Sequence, residues 1–317
     1  MTLCAPSTVF QGVSDISEDL LLNITEANFK TYLDWAFLHL GGWFDAEVGQ
    51  YTIHSSTVQQ AQLLPVADEA YVDGQVWQGI RKDWVYETGC HPTESPVAIS
   101  GLTVDGVFHS YPGGDFKINY PEGRVIFDAP MAIGATVLMN YSYRNVQVYR
   151  ASDAEWFSEL QYASFNNSNI DIQRMEDGNW SIAGNHRIQL PAIIIDPISR
   201  SSSVPYQIGS RELVLSQDIG FYVVAETKNE RNKLLDILRL QQGVTLRLYN
   251  TNLVAQDEKY PLAPDLDRNF SGLMYPDLVS NYHYRKCYLR YINFQEIYSV
   301  SPYLHQGMAR ATVEIIA

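Results

Sequence analysis

The sequence predicts a mainly β chain with α+β character: an N-terminal helix with a β-sandwich-like domain (1–150), a helix and linker (151–179), and an α+β domain (180–317). Three observations predict it. Tyr (21), Phe (12) and Trp (6) are plentiful, and such residues favour pleated, half-buried surfaces. Strict apolar–polar alternation recurs in short runs closed by turn residues. Few stretches carry the three- and four-residue spacing of an amphipathic helix.

The first element is a helix capped by Asn23 or Thr25. Phe29, Tyr32, Leu33, Ala36, Phe37 and Leu40 form its stripe, and Gly41–Gly42 stops it. Trp43 and Phe44 follow and are expected to anchor it on its own domain, the alternative being a neighbouring one. Phe116, Ile118 and Tyr120 then share one face of a strand; Pro121, Glu122 and Gly123 turn the chain, and Arg124–Phe127 returns. A longer strand carries Val137, Met139, Tyr141 and Tyr143 on one face. Its phase shifts to Val146 and Val148, which predicts a bend at Arg144–Asn145. Shorter strands are expected at Tyr71–Trp77, Asp83–Tyr86 and Val97–Val104. Short strands with turns between them read as a sandwich or barrel.

Ser152 and Glu155 make a capping box ahead of Trp156, Phe157 and Leu160. Polar text at Asn166–Asn169 and Glu176–Asn179 separates this helix from the last domain. There, Arg187–Asp196 reads as an apolar strand, Ser199–Pro205 as a loop, and Glu212–Ser216 and Gly220–Ala225 as two strands. Thr227 and Glu230 form a second capping box, with Arg231, Leu234, Leu235 and Leu238 in helical register and Gly243 closing the helix. Strands at Val244–Tyr249 and Lys286–Phe294 flank a long polar loop. The last strand places Ala309, Ala311, Val313 and Ile315 on one face. Strands grouped around one good helix read as an α+β domain.

With 22 Lys+Arg against 36 Asp+Glu, the formal net charge is −14. Such a surface repels polyphosphate and argues against a nucleic-acid reader. Cys4, Cys90 and Cys287 lie far apart without a CxxC pair, which predicts free thiols in a reducing compartment. The first residues lack a basic stretch followed by an apolar one, and no apolar run approaches the ~18 residues of a membrane span. Synthesis in the cytoplasm without a membrane partner is therefore expected.

Catalytic motifs are absent: there is no GxxxxGK[ST], GxSxG or HExxH, and the seven histidines show no ligand-like pairing. Neighbouring residues on a strand point apart, so Cys90–His91 reads as a structural Cys beside a turn His. Gly113–Asp115 and Asp265–Asp267 lack the regular oxygen spacing of a calcium loop. His39 reads as a satisfied or exposed helix histidine and not as a ligand. In Tyr282–Tyr291 rings and bases interleave, and the alternation predicts a strand with Arg285, Cys287, Leu289 and Tyr291 on one face. No enzyme and no cofactor are expected.

The C-terminal stretch resembles a known family. Pro191–Ile195, Tyr206–Gly209 ending a loop, Phe221–Glu226 as a strand of the form "F.V.I.AE", and Glu230–Leu238 opening a helix of the form "QR..L.D.I" resemble tail terminator (tail completion) and related neck proteins of tailed bacteriophages. The hairpin Ile118–Asp128 with Val137–Tyr143 resembles a β-element recurrent in phage neck and tail proteins. The large N-terminal domain departs from the small single-domain pattern of terminators. The resemblance implies a tail-terminator-like C-terminal domain in a virion protein that forms a ring at the head–tail junction, expected to be six-fold, with neck or connector and tail tube or sheath proteins as neighbours. It implies no catalytic residue and no cofactor. It also gives the acidity a use: a lumen that lets genomic DNA pass without sequence-specific binding.

On that reading Arg211, Arg231 and Arg239 are expected at subunit contacts, with Glu212 and Glu226 as partners on a neighbouring copy, because the planar guanidinium pairs bidentately with carboxylates. Two alternatives remain: another tail or baseplate structural protein, and a carbohydrate- or receptor-binding β module. The latter requires Trp77, Trp84 and Tyr86 to form an exposed platform. An enzyme would show a tight cleft holding a perturbed carboxylate pair.

Overall fold

The computed structural model describes residues 15–51, 59–166, 170–175, 178–182, 186–206, 213–296 and 302–316. The chain opens with α1 (Leu21–His39). Ten short strands follow: β1 (Trp43–Ala46), β2 (Gln62–Pro65), β3 (Val76–Gly79), β4 (Gly101–Val104), β5 (Val107–Ser110), β6 (Phe116–Asn119), β7 (Arg124–Phe127), β8 (Val137–Leu138), β9 (Tyr141–Arg144) and β10 (Gln147–Arg150). Next come α2 (Glu155–Asn166), β11 (Ile172–Arg174), β12 (Trp180–Ile182) and β13 (His186–Ile188). Two long strands, β14 (Ala192–Pro205) and β15 (Leu213–Ala225), lead to α3 (Lys228–Arg239) and β16 (Thr245–Tyr249). The rest is α4 (Thr251–Gln256), α5 (Tyr275–Asn281), β17 (His283–Glu296) and β18 (His305–Ile316). The fold is mainly β with α+β character, as the sequence predicts.

Two sheets carry the two large cores. A seven-stranded sheet in the order β5-β4-β8-β2-β3-β7-β6 curls around Leu63, Trp77, Trp84, Ile118, Val125, Phe127, Val137 and Tyr141. The predicted hairpin is there: Phe116 faces Phe127, and Gly123 closes its turn at φ 62°. The second sheet runs β10-β14-β15-β18-β17-β16, and α1 and α3 cover one face. Ala309, Ala311, Val313 and Ile315 all point into that core, as their alternation requires. At one end the opposite face is covered by α2 and the three-stranded sheet β11-β12-β13, through Trp156, Phe157, Leu160, Trp180 and Ile194.

The cores do not follow the division at residue 150. Phe29, Leu33 and Phe37 of α1 pack with Ile193, Phe221 and Leu234 of the second sheet, and β10 pairs in parallel with Ala192–Ile195. The first helix therefore buries its stripe in the C-terminal domain's core. The predicted bend at Arg144–Asn145 is where the chain leaves the two-stranded pair β1-β9 and enters the second sheet as β10.

Local corrections have identifiable causes. Helix α1 begins earlier than Asn23, so Thr25 lies inside it and donates its hydroxyl back to Leu21 O at 2.6 Å instead of capping. Asp83–Tyr86 forms only the isolated bridge Trp84–Tyr143, and of Tyr71–Trp77 only the end reaches β3. The apolar run from Arg187 breaks at Pro191, ending β13 and starting β14. The Ser/Pro stretch Ser199–Pro205 is not a loop: β14 continues to Pro205 with a bulge between Ile198 and Ser201, because β15 pairs with it throughout. β15 likewise runs unbroken past Asp218, which Arg310 and Thr312 of β18 bind at 2.5 Å and 2.7 Å. Thr227 does cap α3, accepting from Glu230 N at 3.2 Å while donating to the Glu230 carboxylate. In β17, a bulge at Arg290 turns Tyr291 outward and Ile292 into the core, so Tyr291 does not share the face of Cys287 and Leu289.

Candidate assembly interface

Of the five residues expected at subunit contacts, Arg211 and Glu212 lie outside the described residues. Glu226 is engaged within the chain: one oxygen accepts from Trp180 Nε1 at 2.8 Å, the other pairs with Arg174 at 3.1 Å. Arg231 donates to Gln306 O at 3.2 Å and to Asn232 Oδ1, with its aliphatic stem over Gly307. Arg239 is the exposed one, with 58% of its side chain accessible; it pairs with Asp236 at 3.0 Å and lies over Phe294. The three described residues, Glu226, Arg231 and Arg239, each engage different partners.

What the fold leaves open is an edge. β10 covers only Ala192–Ile195 of β14, and among the described residues nothing pairs with the outer side of β14 from Asp196 to Pro205. Pro197, Pro205 and the bulge interrupt that edge, leaving Ser201–Val204 as regular, exposed strand. An unpaired strand edge is a template for another strand, and prolines and bulges restrict what can add. At the far side of the sheet, by contrast, part of the edge is occupied: buried Asn28 of α1 donates to Tyr249 O at 3.0 Å and accepts from Tyr249 N at 2.8 Å, and the Tyr275 hydroxyl donates to Arg247 O at 2.8 Å.

The most charged interior point joins α1 to β9 and to the 83–87 segment. Arg144, with a side chain 4% exposed, contacts Glu87 at 2.5 Å, Asp83 at 3.6 Å and Asp34 at 3.9 Å, and donates to Trp84 O at 3.0 Å. Tyr86 lies 5.0 Å from its guanidinium, and Lys30 pairs with Asp34 at 2.7 Å. Burial opposes the Arg144 charge, but Glu87, Asp83 and Asp34 together hold its pKa above the ordinary range. Burial pushes the Asp83 carboxyl up to about 6, against the pull of Arg144. Asp83 also takes a left-handed backbone, φ 56°, which Asp tolerates better than most residues.

Beside this cluster is a recess of about 240 Å³ between α1 and the 260–275 segment, lined by Asp34, Glu87, Trp35, Tyr86, Tyr260 and Tyr275 among others. The perturbed Asp83 does not line it, and Asp34 and Glu87 are held by Lys30 and Arg144. Carboxylates so committed suit ion pairing better than proton transfer.

The other polar features are engaged too. The Cys90 thiol is buried, which raises its pKa, and its neighbour His91 accepts from Glu94 N at 3.0 Å. Asp115 binds His109, Asp265 binds Lys117, and Asp267 accepts from Tyr111 at 2.5 Å. His39 stacks on Trp35 and hydrogen-bonds Cys90 O at 2.8 Å. Trp77 and Trp84 are 1% and 0% exposed, so they do not form an exposed platform with Tyr86. Among the described residues no cluster of three or more His, Cys, Asp or Glu could hold a metal ion, and no helix is long and apolar enough to cross a membrane.

Comparison with known proteins adds no relative: no family model matches the chain, and no curated protein matches it significantly.

Sequence reasoning missed two features. The β14 edge is hidden in Ser/Pro text that reads as loop. Arg144 carries one signal in the sequence, an arginine inside a run of tyrosines, where the change of phase points only to a bend.

Proposed function

We propose that the chain is a non-catalytic structural subunit that assembles with copies of itself into a ring at the head–tail junction of a tailed bacteriophage, as a neck or tail terminator protein. In this role it caps the tail tube and docks it to the neck. It contacts connector and tube or sheath proteins, and passes genomic DNA through an acidic lumen without sequence-specific contacts. It works in the virion after assembly in the host cytoplasm, and its work is contact, with no cofactor.

The observation that carries the assembly reading is the open edge of β14, on a sheet whose other edge is partly occupied by Asn28 and Tyr275. The station at the head–tail junction rests on the resemblance of Pro191–Ile195, Phe221–Glu226 and Glu230–Leu238, which fall on β14, the end of β15 and α3. Another tail or baseplate structural role draws on the same edge. Lysines on an edge strand discourage strand addition. The double substitution S201K/S203K, at exposed positions, is therefore expected to abolish self-assembly, read by sedimentation velocity, without lowering the melting temperature. Assembly unchanged in this variant removes β14 as the contact.

A further inference from the structure

The pairing of β16 with β17 breaks a rule of sheet chemistry. Arg247 stands directly opposite Lys286. The preceding pair, Leu246 and Cys287, points into the core, so the two cations share the solvent face. Like charges opposed on an antiparallel pair are destabilising. Neither cation has an ion-pair partner among the described residues, in a chain with 36 carboxylates to choose from. A local rule broken without internal compensation marks a functional position.

The same face continues along β17. Tyr288 and, after the bulge, Tyr291 are 42% and 50% exposed, and Arg290 pairs with Glu314 while lying 5.1 Å from the Tyr291 ring. Arginine and tyrosine are the residues enriched in protein contacts, the rings because they offer rigid, amphipathic area. Thr245, Asn293 and Gln295 extend the exposed face with neutral polar groups.

We propose that this basic, tyrosine-bearing stripe receives an acidic surface of a second copy of the chain. The inference rests on the self-assembly reading and names the contact. Charge complementarity selects the occupant. The net charge of −14 repels polyphosphate, whereas the same charge makes another copy's surface the complement of the stripe. A basic stripe facing itself across a two-fold axis repels, so the contact is heterologous, the kind that closes rings.

The test uses the full chain with R247E/K286E, and with R247Q/K286Q as a milder second variant. Mass photometry at low and high salt reads assembly, thermal unfolding checks the fold, and anisotropy of a labelled double-stranded DNA fragment reads polyphosphate binding. Wild-type association is expected to weaken with salt, and charge reversal to weaken it at least ~10-fold at low salt, with DNA unbound throughout. Wild-type rings that survive both variants at low salt overturn this contact and leave the ring reading standing. A wild-type chain that stays monomeric overturns both. DNA binding that the variants abolish, with assembly intact, makes the stripe a polyphosphate surface and overturns the proposal.

Discussion

Replacing Arg144 by Leu tests how α1 is held to β9 and the 83–87 segment. The guanidinium is 4% exposed and is the shared cation of Glu87 and Asp83, on one connecting segment, and of Asp34 on α1. Leucine keeps part of the volume but leaves Asp83 and Glu87 without a cation within 4 Å, while Asp34 keeps Lys30. Removing one partner of a buried ion pair costs about 3–5 kcal/mol, because the remaining charge stays buried and uncompensated. That is a large share of a total stability of about 5–15 kcal/mol. In the variant Asp83, whose carboxyl burial already pushes up to about 6, loses the Arg144 charge that pulls it down, so its folded-state pKa lies further above its unfolded value. The folded state then takes up protons as pH falls, so the deficit at pH ~7 shrinks toward pH ~5. Urea unfolding followed by tryptophan fluorescence at both pH values reads this, since Trp84 adjoins the site. A loss below ~1 kcal/mol at neutral pH, or a loss that grows on acidification, refutes the reasoning.

Asp83 predicts a complementary effect. Its folded-state pKa of about 6 lies above its ordinary 3.8, so its ionised form costs stability above pH ~6, and the cost fades as pH falls through that value. Asp83→Asn is expected to be at least as stable as wild type at pH ~7.5 and to lack the gain on mild acidification; a loss above ~1 kcal/mol contradicts the burial argument. Asn28→Ala leaves the N–H and C=O of Tyr249 without their side-chain partner and is expected to cost about 1–3 kcal/mol in urea, an unchanged midpoint being the contrary result. Leu234→Ala removes a buried side chain of α3 from the larger core and is expected to cost about 2–5 kcal/mol, read the same way.

Where sequence and structure agree, the cause is local. Phe116–Phe127 and the last strand announce themselves by period-two alternation and a turn whose glycine must be left-handed, and α3 by its capping box. Where they differ, a distant partner decides. Ser199–Pro205 has loop composition but is drawn into β14 by β15, and the bulge at Arg290 reverses the faces of β17 against β18. The docking of α1 on the C-terminal sheet could not be read, because its stripe states that it is buried and not against what. The candidate surfaces were legible only in part. Arg231 and Glu226 look like exposed charges in sequence and spend their hydrogen bonds inside the chain. Arg247 and Lys286 lie far apart in sequence, and only strand register makes them neighbours.

The central claim is closure into a ring, and native mass spectrometry of the full chain, paired with negative-stain class averages, tests it most directly. The account predicts one dominant closed oligomer with a central opening, six copies being the expected number. Monomers at every concentration, or two-fold dimers without an opening, would contradict it.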